Sequence, residues 1–327
     1  MDSVALLPDS ERNALFGETA RMMSTTPAIT EKDFWVVWVL GKLFGDARLK
    51  QILQFKGGTS LSKVFGLIGR FSEDIDLILD WREVTQEDPY RERSRTQQGL
   101  FNVATNEQAK VYIKTELLPA VSDLLGPLCM CHMEDSDGLS IFVRYPSAYA
   151  DTYLRPEILL EIGPLASWTP SDTFRISPYA ATHFPAVFSR PYCDVSAIVA
   201  KRTFWEKATI LHQEAHRAAD KSMPFRYSRH YYDLALLSRA DVRQEALSDL
   251  DLLEEVVAFK QRFYPSAWAL YELAKPGSFK LLPPDERLAE LQRDYQAMQN
   301  MIFDKHLSLD EIIDNLSNLE DEINASD

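Results

Sequence analysis

Asp74 and Asp76 stand two residues apart in Asp74-Ile75-Asp76-Leu77-Ile78-Leu79, a β-branched, alternating run that predicts a strand. Side chains alternate across a strand, so the two carboxylates share one face and Ile75, Leu77 and Leu79 the other. Like charges this close disfavour each other unless a cation lies between them, and a divalent metal is the obvious cation. Mg²⁺ takes hard oxygen ligands and is typically held by one or two carboxylates, with substrate phosphate completing its shell. Ahead of the pair, Ile52–Lys56 reads as a short strand, followed by Gly57-Gly58-Thr59-Ser60 and then by Leu61, Val64, Phe65 and Ile68 at helical spacing. The glycines let backbone N–H groups approach a ligand, a helix starting at Thr59 turns its positive end to an anion, and Thr59 and Ser60 add hydroxyls. Together these elements describe an anchor for a triphosphate beside a metal pair, which is what in-line nucleotidyl transfer demands.

A third carboxylate normally completes such a site and helps deprotonate or orient the nucleophile. In Glu157-Ile-Leu-Leu-Glu161-Ile, residues Ile158, Leu160 and Ile162 share the apolar face, so Glu161 faces the other way and is the candidate. Glu157 has the same parity and competes with it. Lys56, Gly57, Gly58, Thr59, Ser60, Arg70 and Ser72 form the candidate phosphate-binding set, the last two lying just before the aspartates. Lys207 shares a helical stripe with Phe204, Ala208 and Leu211, an inward position that a lysine avoids without an anionic partner.

Each feature has a plainer reading beside it. The aspartate pair alone could be a solvated strand face, the glycines an ordinary turn, Glu161 a surface acid and Lys207 a snorkelling side chain. Asp233 could pair with Arg229 one helical turn earlier. Cys129-Met130-Cys131-His132 lacks a second Cys/His pair at zinc-finger spacing, so its thiols read as structural. The clusters Arg91, Arg93, Arg95 and Arg217, Lys221, Arg226, Arg229, His230 could track a nucleic-acid backbone or be solvated faces.

These residues must be held by a sizeable scaffold. The chain has 327 residues, 46% of them apolar, enough for about two domains with cores of their own and too many for a disordered chain. The formal charge of −14 excludes a uniform basic coat, so no DNA partner is expected, and any RNA would need a local groove. Half of that charge lies in residues 304–327, with eight acids against one lysine. No basic-then-apolar leader and no apolar stretch of membrane-spanning length is present, and three cysteines suggest no disulfide framework; a cytoplasmic location without a membrane partner is expected.

Residues 11–45 read as helical, with Thr30 as N-cap, and residues 98–125 as helical again; Leu139–Tyr145 and Glu157–Ile162 read as strands. Five prolines between Pro164 and Pro191 suggest a linker. Beyond it Cys193–Arg217, Ser228–Arg239, Ser248–Phe263, an apolar stripe over 288–302, and a helix opened by the capping box Ser308-Leu-Asp-Glu311 all read as helical. The expected class is α+β: an N-terminal helical segment (1–50) on a catalytic domain with a mixed sheet (51–165), a Pro-rich linker (166–191) and an α-helical C-terminal domain (192–327).

Phe55-Lys-Gly-Gly-Thr-Ser-Leu-Ser-Lys63 followed by Arg70-Phe-Ser-Glu-Asp-Ile-Asp-Leu77 resembles the first two motifs of the polymerase-β-type nucleotidyltransferases, specifically the AbiEii/AbiGii toxin family. Ala200-Lys-Arg-Thr-Phe-Trp-Glu-Lys-Ala-Thr-Ile-Leu-His212 and Arg229-His-Tyr-Tyr-Asp-Leu234 are similar to that family's later lysine and aspartate motifs. The resemblance covers roughly residues 30–240. It implies an enzyme that transfers NMP from an NTP, with Mg²⁺ or Mn²⁺ held by Asp74, Asp76 and Glu161, Lys207 gripping phosphate and Asp233 a further essential acid. It also implies a toxin of a toxin–antitoxin or abortive-infection system, a cognate antitoxin as partner, and the tRNA 3′ end as acceptor. Two rivals stand beside it: a nucleotidyltransferase acting on a protein or small molecule, and a non-catalytic, antitoxin-like binding module with the same fold.

Overall fold

The alternation that makes the aspartate run a strand also buries it: Ile75, Leu77 and Leu79 are at most 2% exposed, and so is Phe55 on the neighbouring strand. The computed structural model describes residues 1–134, 138–149 and 154–326, and these fall into two units. The first comprises residues 1–65 and 71–198, the second residues 66–70 and 199–327.

The first unit is built on a seven-stranded mixed sheet. Its strands are β1 (Leu53–Lys56), β2 (Ile75–Leu79), β3 (Met130–His132), β4 (Ser140–Arg144), β5 (Glu157–Gly163), β6 (Ser171–Ile176) and β7 (Cys193–Ile198). They lie in the order β3-β4-β5-β2-β1-β7-β6. β2 runs antiparallel to β1 and parallel to β5, and β7 runs parallel to β1. One apolar core joins the inward residues of these strands to helix Pro27–Gly45 through Phe34, Trp35, Val37, Trp38 and Leu40.

Several expectations need correction. The helical stretch over 11–45 is two helices, Asp9–Met23 and Pro27–Gly45, separated where Ser24 takes a left-handed conformation (φ 53°). The second is capped by Thr26, not Thr30, because Pro27 presets the first helical turn. Residues 1–50 pack on the sheet, with Val4, Phe16 and Leu49 in the same core as its strands. The Pro-rich stretch is not a linker. Its prolines bracket β6, whose edge position tolerates them, and β6 pairs with β7 over Cys193–Ile198, a segment expected to be helical. Cys193, Val195 and Ala197 are buried on alternate positions, a period of two that the adjoining helix Ala200–Ala215 masks. The three-residue strand β3 was also not foreseen.

The second unit is helical, with Ala200–Ala215, Ser228–Leu237, Leu250–Phe263, Leu288–Met298 and Leu309–Asn324 as its longest helices. The last opens on the expected capping box, Ser308 and Glu311 satisfying each other's backbone N–H. Residues 66–70 join this unit: Gly69 O accepts from the N–H groups of Phe303 and Asp304, both at 3.1 Å, and Arg70 bridges to Ile302. Among the described residues no helix is long and apolar enough to cross a membrane.

Candidate active site

In the first unit, strand register sets the candidate residues side by side. Asp76 on β2 lies opposite Glu161 on β5 and opposite Lys56 on β1, and Glu161 lies opposite Ser140 on β4. Directly paired residues share a face, so Lys56, Asp76, Glu161 and Ser140 form one row across four strands. The opposite parity, with Ile75, Leu77, Ile158, Leu160 and Ile162, is buried as the sequence predicts, while on the row's own face Ser140 and Ile78 are buried too, so that face is open only in part. Asp76 and Asp74 are half-buried and Glu161 is exposed, so the row can meet solvent and ligand. The competitor Glu157 is occupied on β4: Arg144 Nη2 lies 2.7 Å from its Oε1.

β1 leads into the glycine turn and the short helix Gly57–Lys63. Gly57 has φ +83°, and a Cβ on it would overlap the Asp76 carboxylate. The bare glycine therefore lets the backbone close onto that carboxylate. The N–H groups of the first helical turn have no partner within the helix, and Gly57, where that turn begins, lies against the Asp76 carboxylate. Thr59 and Ser60 are buried, and their hydroxyls act on the turn itself: Thr59 Oγ1 donates to Asp74 O and Ser60 Oγ to Gly57 O (2.8 Å). These two hydroxyls, which the sequence offers as phosphate donors, each give their single hydrogen to a backbone carbonyl here. Ser72 is half-buried in the segment leading to β2.

Among the described residues no three His, Cys, Asp or Glu side chains are gathered as ligands of one ion, so Asp74, Asp76 and Glu161 do not form a ready-made three-acid cage. The donor set nonetheless suits Mg²⁺. Two carboxylates on neighbouring strands, with a third two residues away, supply the hard oxygens that such an ion takes when substrate phosphate completes its shell. The Cys129-Cys131-His132 segment is packed rather than ligating: burial pushes the Cys129 thiol up to about 12, and the His132 ring stacks on Phe142 at 5.2 Å.

In the second unit, Asp233 is fully buried and is held by two cations. Arg70 donates to it through Nε (2.7 Å) and Nη2 (2.8 Å), and Lys207 Nζ lies 2.7 Å from Oδ2. Arg70 and Lys207 are themselves 5% and 6% exposed. Burial alone would raise the Asp233 carboxyl, but Arg70 and Lys207 outweigh it and hold the group well below the usual carboxylate range. Burial lowers the Lys207 ammonium, with Asp233 opposing and Arg70 assisting. His230, whose Nδ1 is 3.5 Å from Lys207 Nζ, is pushed well below its ordinary value by burial and then by the Lys207 and Arg229 charges, which makes it neutral at pH 7. Asp233 therefore pairs with Arg70 and Lys207 and not with Arg229 as its plainer reading had it, and Arg70, a candidate phosphate ligand, gives its Nε and Nη2 donors to that carboxylate. No spacing rule reaches from residue 70 to residue 233; the inward stripe of Lys207 was the single legible sign that an anion waited there.

Residues 38–315 match the family model described as nucleotidyl transferase AbiEii toxin, of type IV toxin–antitoxin systems. No curated protein matches. Among solved structures the chain is similar to MenT4, a nucleotidyltransferase toxin from Mycobacterium tuberculosis H37Rv, at 16% identity and a TM-score of 0.46, covering 94% of this chain and 97% of that one. With most of its length matched by the family model, the chain belongs to the AbiEii family of nucleotidyltransferase toxins.

Proposed function

We propose that this chain transfers NMP from an NTP to an acceptor hydroxyl, with the tRNA 3′ end as the acceptor and Mg²⁺ as the metal, Mn²⁺ substituting. The observation that carries this reading is the register of Asp76 against Glu161 on parallel neighbouring strands, closed on one side by the positive-φ turn at Gly57. In the reaction the acceptor oxygen forms a bond to the α-phosphorus, the bond to the β-phosphate bridge breaks, and pyrophosphate leaves with the electron pair. Asp74, Asp76 and Glu161 would hold the metal, which when bound polarises the α-phosphoryl group and stabilises charge on the attacking and leaving oxygens. The turn amides at Gly57–Gly58 bind phosphate oxygens, with the Lys56 ammonium as a nearby countercharge. Exposed Glu161 accepts the hydrogen of the attacking hydroxyl and orients it.

Lys207 and Asp233 enter as the family's phosphate-gripping lysine and essential acid. Asp233, itself held by Arg70, fixes the ammonium in place. As a type IV toxin the chain has an antitoxin partner.

The test is to incubate the purified chain with each α-labelled NTP, total RNA and Mg²⁺, with and without chelator. Metal-dependent label in tRNA is expected, and Asp76→Ala should abolish it. Label in protein or small molecules would replace the acceptor. No label, together with undiminished toxicity of Asp76→Ala and Lys207→Ala in a host, would favour a non-catalytic module.

A further inference from the structure

Thr30, Glu31, Lys32 and Asp33, near the start of helix Pro27–Gly45, are each at most 1% exposed. Charged groups avoid such positions unless they are partnered. Here every one is partnered, each in a different part of the first unit. Thr30 Oγ1 donates to Phe16 O at 2.8 Å. Glu31 accepts from the N–H groups of Ala148 (2.9 Å) and Tyr149 (3.2 Å) and from Ser147 Oγ (3.0 Å). Asp33 accepts from Lys63 Nζ and from Tyr179 N, both at 2.6 Å. Lys32 Nζ donates to Glu73 Oε2 at 2.6 Å and to Arg155 O at 2.9 Å.

The partners of Lys32 are what single it out. Glu73 immediately precedes Asp74, and Arg155 stands just ahead of β5, the strand of Glu161. One buried ammonium thus ties together the leads into the two strands whose register sets Asp76 beside Glu161. Lys63, bound by the next residue of the same helix, ends the short helix that begins at Gly57. A buried ion pair is a weak device for stability alone, because desolvation offsets much of its attraction, whereas its directional bonds specify where the joined segments sit.

We propose that Lys32, acting through Glu73 and the Arg155 carbonyl, is a positioning residue that holds the aspartate strand and the Glu161 strand at the spacing the metal site needs. This rests on the nucleotidyl-transfer reading above for its chemical consequence, and on the hydrogen bonds alone for its geometry.

The test uses the full chain carrying Lys32→Met, which keeps the apolar stem and removes the ammonium, and Glu73→Gln, which keeps an acceptor oxygen and removes the charge. Two quantities are read beside thermal melting. One is hydrogen–deuterium exchange in peptides spanning 74–79 and 157–163; the other is the Mg²⁺ concentration giving half-maximal transfer of labelled nucleotide. Lys32→Met is expected to speed exchange selectively in those two segments and to raise the Mg²⁺ requirement about 10–100-fold, the usual effect of losing a group that orients ligands. KM for the NTP should move less, and Glu73→Gln should shift the same readouts in the same direction by a smaller amount. A folded Lys32→Met with wild-type exchange in both segments and a wild-type Mg²⁺ requirement overturns the proposal. So does uniform loosening of the whole unit with the Mg²⁺ requirement unchanged, which would mark a merely stabilising pair. If Lys32→Met does not fold, Glu73→Gln is judged by the same criteria. A wild-type chain that transfers no nucleotide defeats the functional reading, and exchange alone then decides the tie.

Discussion

Replacing Gly57 by alanine asks whether Asp76 must stay where the glycine turn holds it. At φ +83° an alanine is in the left-handed region, and its Cβ would overlap Oδ2 and Cγ of Asp76. Close carbon–oxygen contacts begin near ~3.3 Å, so the carboxylate or the turn must retreat by more than about 1 Å. The backbone conformation by itself costs an alanine about 1–2 kcal/mol. For a unit of this size each kcal/mol lowers Tm by roughly 2–4 °C. Gly277 supplies the control: its φ is +81°, and a Cβ there meets nothing within 4 Å. Gly277→Ala therefore carries the same backbone cost without the collision. Both variants should lose a few degrees of Tm. Gly57→Ala alone should lose about 100-fold in kcat/KM for labelled-NTP transfer, the order of effect of displacing a reacting group by 1 Å. At 1.36 kcal/mol per tenfold that is ~2.7 kcal/mol of barrier, larger than the folding cost. A folded Gly57→Ala with wild-type kcat/KM would refute the reasoning, as would equal losses in the two variants, because either result would uncouple Asp76 from the reaction.

Asp76→Asn and Glu161→Gln keep shape and remove charge; each should reduce transfer at least about 100-fold while the melting curve stays close to wild type, since neither side chain is fully buried. Chelation should abolish transfer, with Mg²⁺ or Mn²⁺ restoring it in the same sample. Asp233→Ala removes the buried carboxylate that Arg70 and Lys207 share and should cost about 3–5 kcal/mol in urea unfolding, and Asp233→Asn should cost less. Because the folded-state pKa of Asp233 is depressed, its stabilisation is complete above the ordinary carboxylate value of about 4 and is lost as pH falls below that value toward the folded-state one. Unfolding free energies measured across that acid range should fall in wild type and fall less steeply in Asp233→Asn; parallel slopes would contradict the assignment.

The candidate site was legible wherever local pattern carries geometry. The glycine turn follows from its residue types and the parity of Asp76 and Glu161 from a period of two, and the sheet register sets those two side by side; Asp74 lies one residue before its strand. Lys207 was legible as an anomaly, a charge on an apolar stripe. Strands β6 and β7 were hidden by their local surroundings. β7 is six residues abutting a helix, so its alternation was absorbed into the longer pattern. β6 lies among prolines that an edge strand tolerates. The run Thr30-Glu31-Lys32-Asp33 has the composition of a solvated helix start, and its burial depends on partners more than 100 residues away, at Ala148, Tyr149, Arg155 and Tyr179.

The sequence by itself determined the elements and their facing, because strand alternation, turn glycines and caps are interactions between near neighbours. Only the tertiary structure decided which strand lies beside which. That β5 pairs with β2, so that Glu161 meets Asp76, depends on sheet order. That Arg70 serves Asp233, and that Lys32 joins Glu73 to Arg155, depends on buried charges finding the one partner the packed chain places within reach. Such pairings are set by the desolvation cost of leaving any of them alone, a quantity that exists only once the core has closed.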